Sequence, residues 1–471
     1  MNRRDFLKLT MYSTAAAGVS SPFASAFASH GGAHHRTLIN VMCLGGADFR
    51  YLLTPSPNST DYATKFWDAR KALYNTQGDN YSSYQEAFAA DYLETTGGPV
   101  NGFGIHKNAG WLKTQFDNNN VAIISNVVAS TNRRHDQSQL IMNAGDLNTE
   151  KFLYDRDGWG GRLAETIGSA NVVSMTNDIS VFAQGRNANN RNANVIHARD
   201  TRNFALSKGD ERLPFDATRV KIARSLQNYY KSKRNEISDK PDNWPYRKFI
   251  QHEQAMREFG DPFKVLTDAN PLPAELEGLV VIEDNFKKQC QNIYDSYIGA
   301  DLFKFRVASV EFAGWDTHQN QKIHFENNIS DLFGTGKGLD TLTTSLDAEA
   351  NNNTVFVFTT DFGRQLRANG TAGTDHGKAN YMILIGPAVN GGVYGDMFPN
   401  SEIIGNPAPF DIQGADITGL TSFERVLGEV CNWVEPGSGT TVFPNTAFND
   451  LTLFPDGPIL ESGVDLSTLF S

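Results

Sequence analysis

The stretch Phe305-Arg306-Val307-Ala308-Ser309-Val310-Glu311-Phe312-Ala313-Gly314-Trp315-Asp316-Thr317-His318 decides the reading of this 471-residue chain. Its apolar run, Phe305 to Phe312, has the length of a strand and stops before a glycine, with Asp316 and His318 directly beyond. Four other runs behave alike: Leu38 to Leu44 before Gly45-Gly46-Ala47-Asp48, Val121 to Val127 before Ala129-Ser130-Thr131-Asn132, Thr354 to Thr359 before Asp361, and Tyr381 to Ile385 before Gly386-Pro387. Strands buried on both faces of a parallel sheet read as continuous apolar runs of this kind. Between the Phe305 and Thr354 runs, Ile323, Phe325, Ile329, Leu332, Phe333, Leu339, Leu342 and Leu346 supply apolar positions for one or two packed helices, interrupted from Gly334 to Gly338. Strand, helix, strand is a crossover unit. Near the end, Phe423, Val426, Leu427, Val430, Trp433 and Val434 fall at helical spacing and form a core-facing stripe. The fold class is therefore α/β, with a mostly parallel central sheet flanked by helices. Residues from about 185 to 300 differ, with the Asn-rich run Gly185 to Asn192 and helical patterns such as Phe249 to Met256, and are expected to form a largely helical insertion.

The first residues carry their own message. Arg3-Arg4-Asp5-Phe6-Leu7-Lys8 precedes a mildly apolar stretch from Leu9 to Val19 and the small-residue ending Ala24-Ser25-Ala26-Phe27-Ala28. Charged, apolar and small-residue regions in that order make an export signal, and the paired arginines give it the character of a twin-arginine signal. Residues 1–28 are thus expected to be removed after Ala28 or Ala26, leaving residues 29–471 as the mature domain in the periplasm or outside the cell. No later segment offers the roughly 18 uninterrupted apolar residues a spanning helix needs.

The formal charge is −11, and loss of Arg3, Arg4, Lys8 and Asp5 makes the remainder more acidic still. Such a surface repels phosphate backbones, which excludes nucleic acid as the expected partner. An anionic substrate would then need a local positive site, either a metal ion or a few arginines. Cys43, Cys290 and Cys431 are too few and too scattered for a disulfide framework or a thiolate metal site, and permit one bridge at most.

In open α/β sheets ligands bind beyond the carboxyl ends of the strands. Asp48, Asp316, His318 and Asp361 all follow inferred strands, and Asp375-His376-Gly377 comes soon after, beyond the glycine-rich run Gly370 to Thr374. Carboxylates mixed with imidazoles suit zinc, manganese or a similar divalent ion, whereas carboxylates alone would favour magnesium or calcium. Each of these Asp residues could instead cap a helix or fix a turn. The candidate metal ligands are Asp48, Asp316, His318, Asp361 and His376. A second group lies in Thr131-Asn132-Arg133-Arg134-His135, where guanidinium matches phosphate or sulfate oxygens and a hydroxyl offers a nucleophile. Thr131, Arg134 and His135 are the candidate catalytic residues.

Several pieces occur in one order: Leu44 to Asp48, Gly104-Ile105-His106, His135 through Gly145, Gly158-Trp159-Gly160-Gly161-Arg162, Trp315 to Gln321, Asp361-Phe362-Gly363-Arg364 and Gly373-Thr374-Asp375-His376-Gly377. Together they resemble the domain-of-unknown-function 1501 family, a twin-arginine-exported group assigned to the alkaline phosphatase and sulfatase superfamily. The resemblance implies an alkaline phosphatase-like sandwich with one or two divalent ions (zinc, manganese or magnesium) at strand ends, and hydrolysis of phosphate or sulfate esters. It also implies ligand roles for Asp48, Asp316, His318, Asp361 and His376. The sequence departs from that pattern in three places: active relatives follow the late acidic ligand with a metal-binding histidine where Phe362 stands here, the sulfatase nucleophile motif is absent, and Arg134 stands where relatives in the closer family often show Ser before His. The expected activity is a metal-dependent ester hydrolase acting on a small-molecule or polymer ester. The rival expectation is a non-catalytic exported protein that binds a surface polymer or another exported protein.

Overall fold

The computed structural model describes residues 35–57, 61–74, 81–95, 102–149, 153–203, 262–444 and 464–470, with isolated positions between 225 and 260. The export signal expected at 1–28 and much of the insertion expected at 185–300 lie outside the described residues. The described strands are β1 (Thr37–Cys43), β2 (Leu53–Pro55), β3 (Tyr92–Glu94), β4 (Phe103–His106), β5 (Val121–Val128), β6 (Asn171–Ser174), β7 (Val195–His197), β8 (Phe305–Phe312), β9 (Thr354–Thr360), β10 (Gly363–Ala368), β11 (Thr374–Gly377), β12 (Ala379–Ile385), β13 (Gly392–Tyr394) and β14 (Thr421–Ser422). Each of the five apolar runs is a strand, and β1, β5, β9 and β12 are buried along their whole length.

The main sheet has nine strands, in the order β13-β5-β12-β9-β1-β8-β6-β7, with β14 also paired to β5. At its centre β1 runs parallel to both β8 and β9. The connection from β8 to β9 holds the helices Gln321–Phe333, Gly338–Ser345 and Ala348–Asn352, so the apolar positions between Ile323 and Leu346 belong to a helical crossover broken near Gly334. One strand departs from the parallel expectation: β12 is antiparallel to β5 and to β9. Between β9 and β12 the chain makes only the β10–β11 hairpin. A parallel return needs a crossover of a dozen or more residues to the far end of the sheet, and without one the chain re-enters from the end it left. Within the stretch expected to be helical, Val195–His197 pairs in parallel with β6 and extends the sheet instead.

The chain divides into two compact units. The larger comprises His34–Arg199, Ala274–Gln291 and Phe303–Ser471, and holds the sheet and every residue discussed as a site. In the smaller, which includes Asp200–Pro273 and Asn292–Leu302, Arg202 pairs with Asp295 at 2.7 Å and Thr201 donates to the same carboxylate. No helix among the described residues is long and apolar enough to cross a membrane. Cys43, Cys290 and Cys431 are free, buried thiols whose pKa values burial pushes up, so they behave as apolar core groups.

The helix Phe423–Val434 starts at Ser422, whose hydroxyl accepts from the Arg425 N–H, and buries the stripe read from the sequence. Its first turn also buries Glu424, which accepts a hydrogen bond from the Leu147 N–H at 2.7 Å. Burial raises the Glu424 pKa from 4.5 to about 7, with nearby Asp146 adding to the rise. A carboxyl that holds its proton more tightly when folded makes stability fall as pH rises from the unfolded value through the folded one. Glu424→Gln keeps the acceptor and removes the charge. It should melt at nearly the wild-type temperature at pH 4.5, and above wild type at pH 8 by at most roughly 3 kcal/mol of stability. Thermal melts across that range check the prediction.

Candidate metal centre

The loops beyond β1, β8 and β9 and the β10–β11 hairpin converge at one end of the sheet. Gly45, at φ +118°, lets the β1 loop lie directly on the backbone of Asp316: a Cβ there would sit 2.4 Å from the Asp316 nitrogen. Beneath both loops runs the buried Arg364 of β10. Its guanidinium donates to the carbonyls of Gly46 at 2.6 Å, Thr374 at 2.8 Å and Trp315 at 2.8 Å, to the Gly45 carbonyl, and to Asp316 Oδ1 at 2.9 Å. One cation therefore fixes two strand ends, the hairpin and the Asp316 carboxylate.

Three imidazoles surround that carboxylate. His376 Nε2 lies 3.1 Å from Asp316 Oδ1, His318 Nε2 lies 3.2 Å from the same oxygen, and His135 Nε2 lies 3.4 Å from Oδ2. His135, Asp316 and His376 each offer a ligand atom within 4.8 Å of the others, and His318 Nε2 adds a further donor 2.8 Å from His376 Nε2.

Each ring is turned by a partner on its other nitrogen. His135 Nδ1 is 2.7 Å from Asp361 Oδ2, His318 Nδ1 is 2.9 Å from Asp375 Oδ1, and His376 Nδ1 is 2.7 Å from the Arg133 carbonyl. Carboxylates and carbonyls only accept, so the neutral rings carry their protons on Nδ1 and present Nε2 lone pairs. Those lone pairs face one another and a carboxylate across about 3 Å, an arrangement that repels unless a proton or a cation sits between them.

The electrostatics agree with a preformed acceptor cluster. Burial alone works against the charge on Asp316, but the bond and charge of Arg364 outweigh it and hold the carboxyl at about 2. Asp375 is likewise held below its ordinary value, against burial, by Asn369 and His318. His135 is raised by its bond to Asp361, while burial lowers His376 and favours its neutral form. The cluster is open to solvent on one side, with the Asp316 side chain 44% exposed.

Of the residues singled out from the sequence, Asp316, His318 and His376 meet directly, and His135 completes the group. Asp361 is fully buried behind His135, where Oδ2 also accepts from the Gly45 N–H at 3.2 Å and from Gln139 at 3.0 Å. Asp48 faces elsewhere: its Oδ2 accepts from Arg70 at 2.7 Å and Gln321 at 2.8 Å. Gln321 in turn accepts from Thr374 Oγ1, so Asp48 braces the strand that carries His376. Thr131 Oγ1 is 3.5 Å from the Leu147 carbonyl, the Ser130 and Ser138 hydroxyls bond each other at 2.8 Å, and Arg134 reaches out to Asp136 at 2.8 Å. Phe362 is buried against two of the imidazole rings, its centroid 4.1 Å from that of His376 and 4.8 Å from that of His135. Arg364 and the orienting role of Asp375 were missed, although both lie in the quoted sequence pieces; a basic residue just past a late strand end was the available signal for Arg364.

No curated protein matches the chain. Residues 301–401, which carry Asp316, His318, Asp361, Arg364, Asp375 and His376, match the model of a family described as a protein of unknown function, DUF1501.

Proposed function

We propose that this is an exported, metal-dependent hydrolase of phosphate or sulfate esters, with its centre on Asp316, His135, His318 and His376. One observation carries the reading: three imidazoles, each anchored through Nδ1, turn their Nε2 atoms onto a single carboxylate. Orienting a ligand ring through an outer carboxylate or carbonyl is the habitual support of a metal-binding histidine. A nitrogen-rich set with one carboxylate suits zinc, manganese or iron better than magnesium or calcium. A divalent ion in such a site polarises an ester oxygen and activates water.

The chain's own groups do the rest. Asp361 and Asp375 keep the rings of His135 and His318 aimed, Arg364 holds Asp316 ionised, and Phe362 packs against the His135 and His376 rings. With the Ser130 and Ser138 hydroxyls bonded to each other, water is the nucleophile these residues favour. That same pairing supports the rival reading, an exported protein of the same fold that binds a polymer or another exported protein without turnover. The superfamily likeness to alkaline phosphatases and the twin-arginine export belong to the proposal and rest on the sequence resemblance.

Purified protein loaded with zinc, manganese or magnesium should hydrolyse at least one member of a panel of p-nitrophenyl phosphate and sulfate esters. Turnover should vanish in His376→Ala while the circular dichroism spectrum is kept. Absence of turnover by fully loaded protein would favour the binding reading.

A further inference from the structure

The charges at the centre specify which oxyanion it accepts, given the metal-dependent reading above. Three carboxylates stand around the ligand atoms: Asp316 among them, Asp361 behind His135, and Asp375 behind His318. One guanidinium, that of Arg364, faces them at 2.9 Å from Asp316. Histidines that give their lone pairs to an ion remain neutral. A single divalent ion together with Arg364 thus balances the three carboxylates and leaves the centre without net charge.

The neighbouring cations are already committed. Arg70 is bound to Asp48 at 2.7 Å, Arg133 to Asp416 at 2.8 Å and Arg134 to Asp136 at 2.8 Å. The chain as a whole carries −11 and adds no positive field. Among the described residues the possible ligand atoms gather in one group, His135, Asp316 and His376; Asp361 spends Oδ2 on three donors and keeps a buried Oδ1 without a hydrogen-bond partner, and Asp48 is spent on Arg70 and Gln321. The wall beside His135 and His376 is the ring of Phe362, which ligates nothing.

We propose that the centre takes singly charged tetrahedral oxyanion esters, namely phosphodiesters or sulfate monoesters, in preference to doubly charged phosphomonoesters. A neutral centre would admit a single charge from its solvent-open side. It has nothing left to compensate a second charge, and Asp316 and Asp375, both part-exposed, repel it. A phosphomonoester, with its second pKa near about 6, carries nearly two charges at pH 8.

Isothermal titration calorimetry on zinc-loaded protein at pH 8 tests this with three small probes: dimethyl phosphate, methyl sulfate and methyl phosphate. Dimethyl phosphate, methyl sulfate or both should bind at least about tenfold more tightly than methyl phosphate, and which of them leads tells a diester site from a sulfate site. Inductively coupled plasma mass spectrometry should find one zinc per chain. Asp375→Asn removes one negative charge and should raise the affinity for methyl phosphate relative to dimethyl phosphate about tenfold, whereas mere loosening of His318 would weaken both together. The proposal is overturned by methyl phosphate binding as tightly as the monoanions, by no binding of any probe, by two ions per chain, or by an unchanged ratio in Asp375→Asn. Should the probes bind in the expected order while no ester in the panel is hydrolysed, the ligand class stands and the hydrolase reading falls.

Discussion

Replacing His376 with alanine should abolish stoichiometric zinc or manganese binding while leaving the fold in place. His376 provides the Nε2 atom closest to both Asp316 and His318, so its loss removes a central donor of the cluster. Asp361→Asn should behave differently. Its carboxylate contacts the centre through His135 Nδ1, and the loss of such an orienting partner costs about 10- to 100-fold in metal affinity. His376→Ala should exceed that range. Competition titrations against a chromogenic chelator measure both, and equal losses would mean that Asp361 is itself a ligand.

A second large effect is expected at Arg50, whose partners include none of the four clustered side chains. This residue is completely buried, with its guanidinium 2.7 Å from Glu402 Oε2 and 3.0 Å from Oε1, and with Tyr62, Asn126 and the Met397 carbonyl completing its partners. Arg50→Met would leave the Glu402 carboxylate buried with only the Tyr62 hydroxyl and the Thr418 N–H. Breaking a buried ion pair from one side costs about 3–5 kcal/mol, a large share of the roughly 5–15 kcal/mol that holds a typical domain folded. The double replacement Arg50→Met with Glu402→Met removes both charges, and should recover much of the loss because apolar groups of similar volume fill such sites well. Urea unfolding of the two variants decides the matter: a double variant as unstable as the single one would show that the loss comes from packing rather than from the stranded charge.

Much of the sheet was legible because burial on both faces leaves a plain mark. The runs at Leu38, Val121, Phe305, Thr354 and Tyr381 are all strands, and the stripe from Phe423 to Val434 is a helix. Direction was not legible for β12. A strand buried on both faces reads the same whichever way it runs, and the reversal depends on the β10–β11 hairpin that precedes it. At the centre, sequence patterning pointed to Asp316, His318 and His376 because strand ends and glycine-rich loops mark where side chains gather. It could not assign the parts played by Asp361 and Asp375. Whether a carboxylate ligates or orients depends on which atom it faces across the fold, and Asp361 meets His135 from 226 positions away in sequence. Asp48 illustrates the same limit: its place after β1 resembles that of Asp361 after β9, yet Arg70 from the helix Asp61–Tyr74 claims its carboxylate.

X-ray absorption spectroscopy on the zinc-loaded protein tests the centre most directly. The arrangement predicts one zinc per chain with a shell dominated by imidazole nitrogens and completed by carboxylate or water oxygens, and a lower imidazole count in His376→Ala. A folded protein that takes up no zinc, or one whose zinc shows no imidazole scattering, would contradict it.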